Sequence, residues 1–328
     1  MTQTLLILGT RSDWHVATIA DKFSKKFPAV EVHVADFRNC SITFSQAPGG
    51  HWNLALDGSD VNEPLLIWDR FKLIPGSELY VEGMEPWAGY AGCQWRAFYS
   101  LITSMAGERA LCRVINSPAS RASLIKPAQQ HVASLVGLKI PNTIVTNSKV
   151  HLERFVNGSP SVLKDLAEIP FVTSDGTQAI QLRIQTTAIN CHEVAGAELN
   201  GIAIYPHFAQ VRLDKLYEVR TVVAGESLIS FRINSQAHDS AKLDWRKYER
   251  LLEIEPCSLP SWISEGIHKF MRKMGLTYGS IDMVVDTNGD YWFLECNQDG
   301  QWGSFDQRSG GRVSDLLCEH FYQELNSI

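Results

Sequence analysis

The segment SIDMVVDTNGDYWFLECN, residues 280–297, carries the strongest structural signal in the chain. Ile281 to Val285 and Tyr291 to Glu295 read as strands, and Asn288-Gly289 between them is the preferred loop of a two-residue type I′ hairpin. Counting back from that loop, Thr287 faces Asp290, Val284 faces Phe293 and Asp282 faces Glu295. Period two puts Asn297 on the same side as Glu295. Two carboxylates and an amide oxygen thus share one sheet face. Like charges opposed on a sheet repel, and a divalent cation removes that cost. Carboxylates with an amide oxygen are hard ligands of the kind Mg2+ takes, and phosphates commonly complete its shell. The plainer reading is a solvated face with incidental acids. If the repulsion is uncompensated, Asp282→Asn leaves the metal-free protein as stable as before, or more so.

Moving outward, Glu218 to Val223 and Ser227 to Ile233 flank Ala224-Gly225-Glu226 as a second hairpin. Trp262, Ile263, Ile267, Phe270, Met271 and Met274 define one helix face, ended by Gly275. A last helix covers about Val313 to Leu325. Upstream, Asn116-Ser117-Pro118 breaks the pattern. Ser123 to Gly137 then reads as an amphipathic helix with Leu124, Ala128, Val132, Leu135 and Val136 on its apolar face. Short strands follow at Thr143 to Val145, Ser161 to Leu163 and Gln181 to Ile189, separated by turns such as Thr173-Ser174-Asp175-Gly176. The first segment alternates strands and helices. Leu5 to Leu8 is a strand, a helix carries Ile19 and Phe23, and Glu31 to Phe37 is a strand. Ser41 to Gln46 and His51 to Leu56 form a hairpin, Pro64 to Phe71 is a strand, and Trp87 to Ala106 is a helix. That alternation predicts an open α/β sheet.

The chain has 328 residues, enough for two or three domains at roughly 100–200 residues each. Hydrophobic residues make up 45%, which excludes disorder as the dominant state. Thirty Lys+Arg against 36 Asp+Glu give a net charge of -6, so no global basic field favours nucleic acid or an anionic membrane. No apolar run approaches the ~18 residues of a membrane span. Met1 to Gly9 lacks a basic flank and a long apolar core, so it is no signal peptide, and a cytoplasmic location is expected. The seven cysteines show no CxxC spacing and read as reduced, buried residues. Phosphate loops of the GxxxxGK[ST] or GxGxxG type are absent, as is any Ser/His/Asp or Cys/His pattern.

GSIDMVV (279–285) followed by WFLECN (292–297) resembles the closing metal-binding hairpin of ATP-grasp carboxylate–amine ligases. QDGQW (298–302), EVRTVVAGESLISFRINSQ (218–236) and LDWRK (243–247) are similar to the microviridin-type subgroup, the graspetide macrocyclases that crosslink ribosomal precursor peptides. The resemblance covers roughly residues 64–328. It implies an ATP-grasp fold of the α/β (α+β) class. An N-terminal α/β domain (1–118), a central lid (119–206) and a C-terminal antiparallel-sheet domain (207–328) would sandwich ATP. It further implies that Lys126 and Lys164 hold nucleotide phosphates, and that the backbone of Gln210 and Val211 meets the purine edge. Many relatives carry an acid where Val211 stands. Glu218 falls to the nucleotide site, Arg220 and Arg246 to the transferred phosphoryl group, and Asp282, Glu295 and Asn297 to a pair of Mg2+ ions.

The implied partner is a precursor peptide with a leader segment; a homodimer is left open. The implied reaction makes an acyl phosphate of an Asp or Glu side chain, then an ester or amide by attack of a Thr/Ser hydroxyl or Lys amine. A related ligase adding amino acids to a protein terminus or small peptide uses the same residues, and a nucleotide-binding regulator without turnover is the rival from another class. Arg96 with Trp87, Tyr90, Trp95, Phe98 and Tyr99 reads either as a peptide-docking surface or as core.

Overall fold

In the computed structural model, the structure describes residues 2–49, 51–71, 88–122, 125–166, 171–172, 179–180, 186–197 and 199–328. The turn at 173–176, Leu124, Trp87 and most of the expected strand from 181 lie outside these residues.

The first layer is a parallel sheet. Strand β1 (Thr4–Leu8) leads through α1 (Trp14–Lys26) to β2 (Glu31–Ala35). A meander follows, β3 (Ile42–Gln46), β4 (Trp52–Leu56) and β5 (Ser59–Asp60), then β6 (Leu65–Asp69), α2 (Ala88–Gly107) and β7 (Cys112–Ile115). The order β2-β1-β6-β7 is parallel throughout. All of β1 is buried because alternate residues enter different cores. Leu5 and Ile7 join Val16, Ile19 and Phe23. Leu6 and Leu8 join Tyr99, Ile102 and Ala106. A strand covered on both faces needs this unbroken apolar run. The second strand ends at Ala35 rather than Phe37, because the Asp36 carboxylate accepts from the N–H and Nε of Arg38 and from Asn39 Nδ2 and turns the chain. Trp95, Phe98 and Tyr99 pack on the Leu6–Leu8 side, so these aromatics are core, while Tyr90 is exposed.

The helix expected over 123–137 is observed as α4 (Lys126–Leu135), with a separate α3 (Pro118–Ala122) before it, and the buried face of α4 differs from the apolar one. Gln129, Gln130 and Ala133 are buried, whereas Leu135 is 58% exposed. Hydrogen bonding decides the rotation. Gln129 Oε1 accepts the N–H of Cys296 (2.6 Å), and Gln130 Nε2 donates to the carbonyl of Leu294 (3.1 Å). Buried amides satisfying a strand edge outweigh the burial of one leucine.

The next segment runs through β8 (Thr143–Thr146), α5 (Lys149–Gly158), β9 (Ser161–Lys164), a separate two-stranded hairpin β10 (Phe171–Val172) with β11 (Ala179–Ile180), and β12 (Thr187–Ile189), and β8, β9 and β12 belong to a second sheet. Helices α6 (Cys191–Gly196) and α7 (Leu199–Ala203) precede β13 (His207–Val211). The order of that sheet is β12-β9-β13-β8, with α5 and α6 backing the core around Leu152, Val156 and Ala209.

The third sheet is antiparallel, order β16-β15-β14-β17-β18: β14 (Lys215–Ala224), β15 (Ser227–Ile233), β16 (Ile254–Cys257), β17 (Tyr278–Asp286) and β18 (Tyr291–Asn297). One face takes α8 (Ser261–Met274), ended by Gly275 at φ 65°, the left-handed conformation glycine adopts without strain. The other face packs Trp245, Trp302 and Phe305 with α9 (Gly303–Arg308) and α10 (Arg312–Asn326).

The β17–β18 hairpin departs from the expected turn twice. Its loop has three residues: Asp286 N–H donates to Asp290 O, and only Gly289 (φ 84°) is left-handed, so this is not a type I′ turn. Asp286 therefore replaces Thr287 opposite Asp290, and Val284 faces Trp292 instead of Phe293. A bulge between Asp282 and Met283 then shifts the register back, so that Asp282 does face Glu295 and Ser280 faces Asn297. The two deviations cancel at the acids.

Candidate active site

The second and third sheets enclose a cavity of about 420 Å3. Lys126, the first residue of α4, Lys164, the last of β9, and Gln210 and Val211 of β13 line it. So do Glu218 and Arg220 of β14, Arg246, and Glu295 and Asn297 of β18. Asp282 does not line it but is buried, 5% or less exposed like Arg220, and tied to both lining arginines. All ten residues singled out in the sequence thus converge on one place. The bulge contributes directly: Leu294 and Glu295 both line the cavity, while Phe293 and Cys296 enter the core beneath α8.

The opposed acids are already neutralised. Arg220 Nη1 donates to Asp282 Oδ1 (3.1 Å). Arg246 Nη2 donates to Asp282 Oδ2 (2.8 Å) and to Glu295 Oε1 (2.6 Å). Lys126 Nζ lies 3.4 Å from Glu295 Oε2. Burial works against the Glu295 charge, yet Arg246, Lys126 and Lys164 outweigh it and bring its pKa down to about 2. The expectation that removing the Asp282 charge relieves the resting protein is therefore corrected, because two guanidinium groups would lose their partner.

The opposite wall differs. Burial lowers the Lys164 pKa to about 8, with Glu295 working against the shift and Lys126, Arg246 and Lys215 adding to it. Lys215, which the sequence reading missed, donates to Glu218 Oε1 (2.9 Å) and to Leu243 O. Burial raises the Glu218 pKa against that lysine. Local spacing did not mark Lys215: three residues before Glu218 is the opposite face under period two, and a bulge between Lys215 and Tyr217 turns it to the same side.

Gln210 does not present a free backbone to a ligand. Its strand lies between β9 and β8, and the N–H of Val211 donates to Asn142 O (2.9 Å), so of the backbone groups expected at the purine edge that N–H is already engaged. The Gln210 side chain instead donates to Thr143 Oγ1, which bonds Gln130.

A second group of residues escaped sequence reasoning because its contacts span most of the chain. Arg70 Nε donates to Asp13 Oδ2 (3.1 Å), and its Nη1 donates to Asp299 O (2.8 Å). Arg121 Nη2 reaches Asp299 Oδ2 (3.1 Å). His15 pairs with Asp13 (2.7 Å) and accepts the N–H groups of Trp302 and Gly303. The strand ends of the first sheet thereby fix the segment after Asn297, which sends Asp299 and Gln301 into the cavity. Nothing local in the sequence marks Arg70 for this.

No protein-family model and no curated protein sequence matches the chain. Solved structures do, and they show that the chain has the ATP-grasp fold. A RiPP-associated ATP-grasp ligase of Chryseobacterium gregarium, solved with ADP and a leader and core peptide, superposes with a TM-score of 0.82 at 22% identity, over 98% of this chain and 97% of that one. The macrocyclase MdnC of Microcystis aeruginosa MRC, bound to precursor peptide MdnA, gives 0.77 at 20% identity, over 98% and 100%. The ATP-grasp ligase PsnB with a minimal precursor gives 0.76 at 18%, over 98% and 99%.

Proposed function

We propose that the protein is an ATP-dependent ligase that activates Asp or Glu side chains of a precursor peptide and closes them onto hydroxyls or amines of the same peptide, forming ester or amide macrocycles. The observation that carries this reading is the cavity, where a half-buried lysine on one wall faces a paired-carboxylate wall with its own cations, within a fold matched end to end by precursor-binding ligases. A cytoplasmic location and a leader-bearing peptide partner belong to the same proposal, as does a three-part division at about 118 and 206. Among the described residues, no helix is long and apolar enough to cross a membrane.

The residues fit a nucleotide with Mg2+. Lys164 carries a charge that its surroundings disfavour and that an anion would restore. Gln210 Oε1 and Arg220 Nε are buried polar atoms without a protein partner among the described residues. Among those residues no group of three or more His, Cys, Asp and Glu is arranged to hold a metal ion, so Asp282, Glu295 and the Asn297 amide are an incomplete oxygen set. That suits Mg2+, which leaves positions to phosphate oxygens rather than demanding a protein cage. Bound there, the ion would neutralise charge on the terminal phosphates.

Lys126 and Lys164 would hold the phosphates, and Arg220 and Arg246 the transferring oxygens in a bidentate grip. A peptide carboxylate oxygen attacks the γ-phosphorus and releases ADP. The hydroxyl or amine then attacks the acyl phosphate, releasing phosphate and a proton. The protein supplies position and charge rather than a nucleophile.

Incubation with Mg2+-ATP and a candidate peptide rich in Thr, Asp, Glu or Lys, read by mass, tests the proposal. Loss of one water per crosslink is the expected result. Gain of a residue mass would make the protein an amino-acid ligase, and a peptide left unchanged by every candidate would leave the regulator.

A further inference from the structure

Nη2 of Arg246 is a single nitrogen shared by two acids that face each other across β17 and β18, 2.8 Å from Asp282 Oδ2 and 2.6 Å from Glu295 Oε1. An ion bridging those same oxygens must stand where that nitrogen stands. The other cations do not compete in this way: Arg220 bonds chiefly Asp282 Oδ1, and Lys126 faces Glu295 Oε2.

Arg246 is also the cation best placed to leave. Its side chain is 42% exposed against 6% for Arg220. It opens a short 3-10 segment, Arg246–Leu251, in a stretch between β15 and β16 with no α-helix or strand. Asp244 Oδ1 accepts both its backbone N–H (3.2 Å) and its Nη1 (3.4 Å), so the guanidinium keeps one partner when Nη2 lets go.

We infer that Arg246 is a specificity-determining residue: it closes the metal site to free divalent cations and yields it only to a cation that arrives with nucleotide. The inference rests on the reading of Asp282, Glu295 and Asn297 as the metal site. A hydrated ion alone must shed water and displace a guanidinium that gains nothing in exchange. A nucleotide-bound ion brings phosphate oxygens, which take the guanidinium fork as well as carboxylates do. Arg246 then changes partners instead of losing them. Without nucleotide the site stays closed.

Mn2+ binding to the full chain, followed by electron paramagnetic resonance, tests this. Without nucleotide, wild type should bind Mn2+ weakly, and Arg246→Ala should bind at least about tenfold more tightly, the scale of one charge-assisted hydrogen bond. Arg246→Gln, which keeps part of the stem, should move the same way, and melting curves show that both variants are folded. Adding Asp282→Asn to Arg246→Ala should abolish the gain, which places it at this site. With a non-hydrolysable ATP analogue, wild type should show protein-bound Mn2+. Equal or weaker Mn2+ binding by folded Arg246 variants, while wild type binds Mn2+ with the analogue, overturns the inference and leaves the metal site standing. No protein-bound Mn2+ in wild type with the analogue removes the metal site and the inference together.

Discussion

The two walls of the cavity hold their charges in opposite states. On the hairpin wall, Asp282 and Glu295 are matched by Arg220, Arg246 and Lys126, so the resting protein is electrostatically satisfied there. On the β9 wall, Lys164 is half-buried near three other cations, and among the described residues its ammonium has no hydrogen-bond or ion-pair partner. On the proposed function, the difference places affinity and order of binding on different walls. An anion gains most at Lys164, where its charge relieves an existing penalty. At the hairpin it must first persuade existing partners to exchange.

The largest effect that tests this contrast is Lys164→Ala. Turnover should vanish and nucleotide affinity should fall by about 2 kcal/mol or more, measured by titration calorimetry. The metal-free protein should melt no lower than wild type. A lower melting temperature with unchanged nucleotide affinity would remove the contrast. Next, Asp282→Asn should destabilise the resting protein by about 3 kcal/mol in denaturant unfolding, the cost of breaking a buried ion pair. Unchanged or raised stability would mean that the arginines do not compensate the acids.

Gln129→Leu should cost about 2 kcal/mol, because Cys296 N–H loses its acceptor in a buried place. Smaller still is a dependence on pH. Lys164 is lowered from 10.5 to about 8, so it is charged below pH 8 and loses charge above it. Nucleotide affinity should therefore be level up to about pH 7 and then fall by up to about tenfold per unit above 8, with proton uptake on binding. The same shift means the folded chain holds fewer protons than the unfolded one between about 8 and 10.5, so this group's contribution to stability rises with pH across that window. Least of all, Leu135→Gln should change stability by under about 0.5 kcal/mol, as an exposed position does.

That last pair of substitutions marks where sequence reading fails. On α4 an apolar stripe was visible and a leucine was assigned to it, yet two glutamines face inward because strand β18 had backbone groups to satisfy. Periodicity weighs apolar area and is blind to such partners. The parallel first sheet and the hairpins were legible because alternation and turn residues are local. The opposition of Asp282 and Glu295 was legible for a weaker reason: a loop one residue longer than expected is compensated by a bulge. The positions of Lys126, Lys164, Arg220 and Arg246 came from resemblance, since a lone cation has no local signature. Arg70, Arg121 and His15 were illegible because their partners lie in a segment brought beside them only by the finished fold.

The grip of α4 on β18 has a mechanical consequence. Gln129 and Gln130 hold the backbone at Cys296 and Leu294, on either side of Glu295, and the same helix begins at Lys126. Ala133 and Leu138 lie in one cluster with the α8 residues Ile263 and Ile267, and Lys139 O accepts the N–H of Phe293. A lysine and the carboxylate it pairs with are thus mounted on a single jig. If the second sheet swings outward to admit substrate, its pivot lies beyond Lys139, nearer β8 than α3. The gap between Lys126 and Glu295 would keep its calibration through every cycle, while Lys164 travels with the moving jaw, together with Gln210 and Val211.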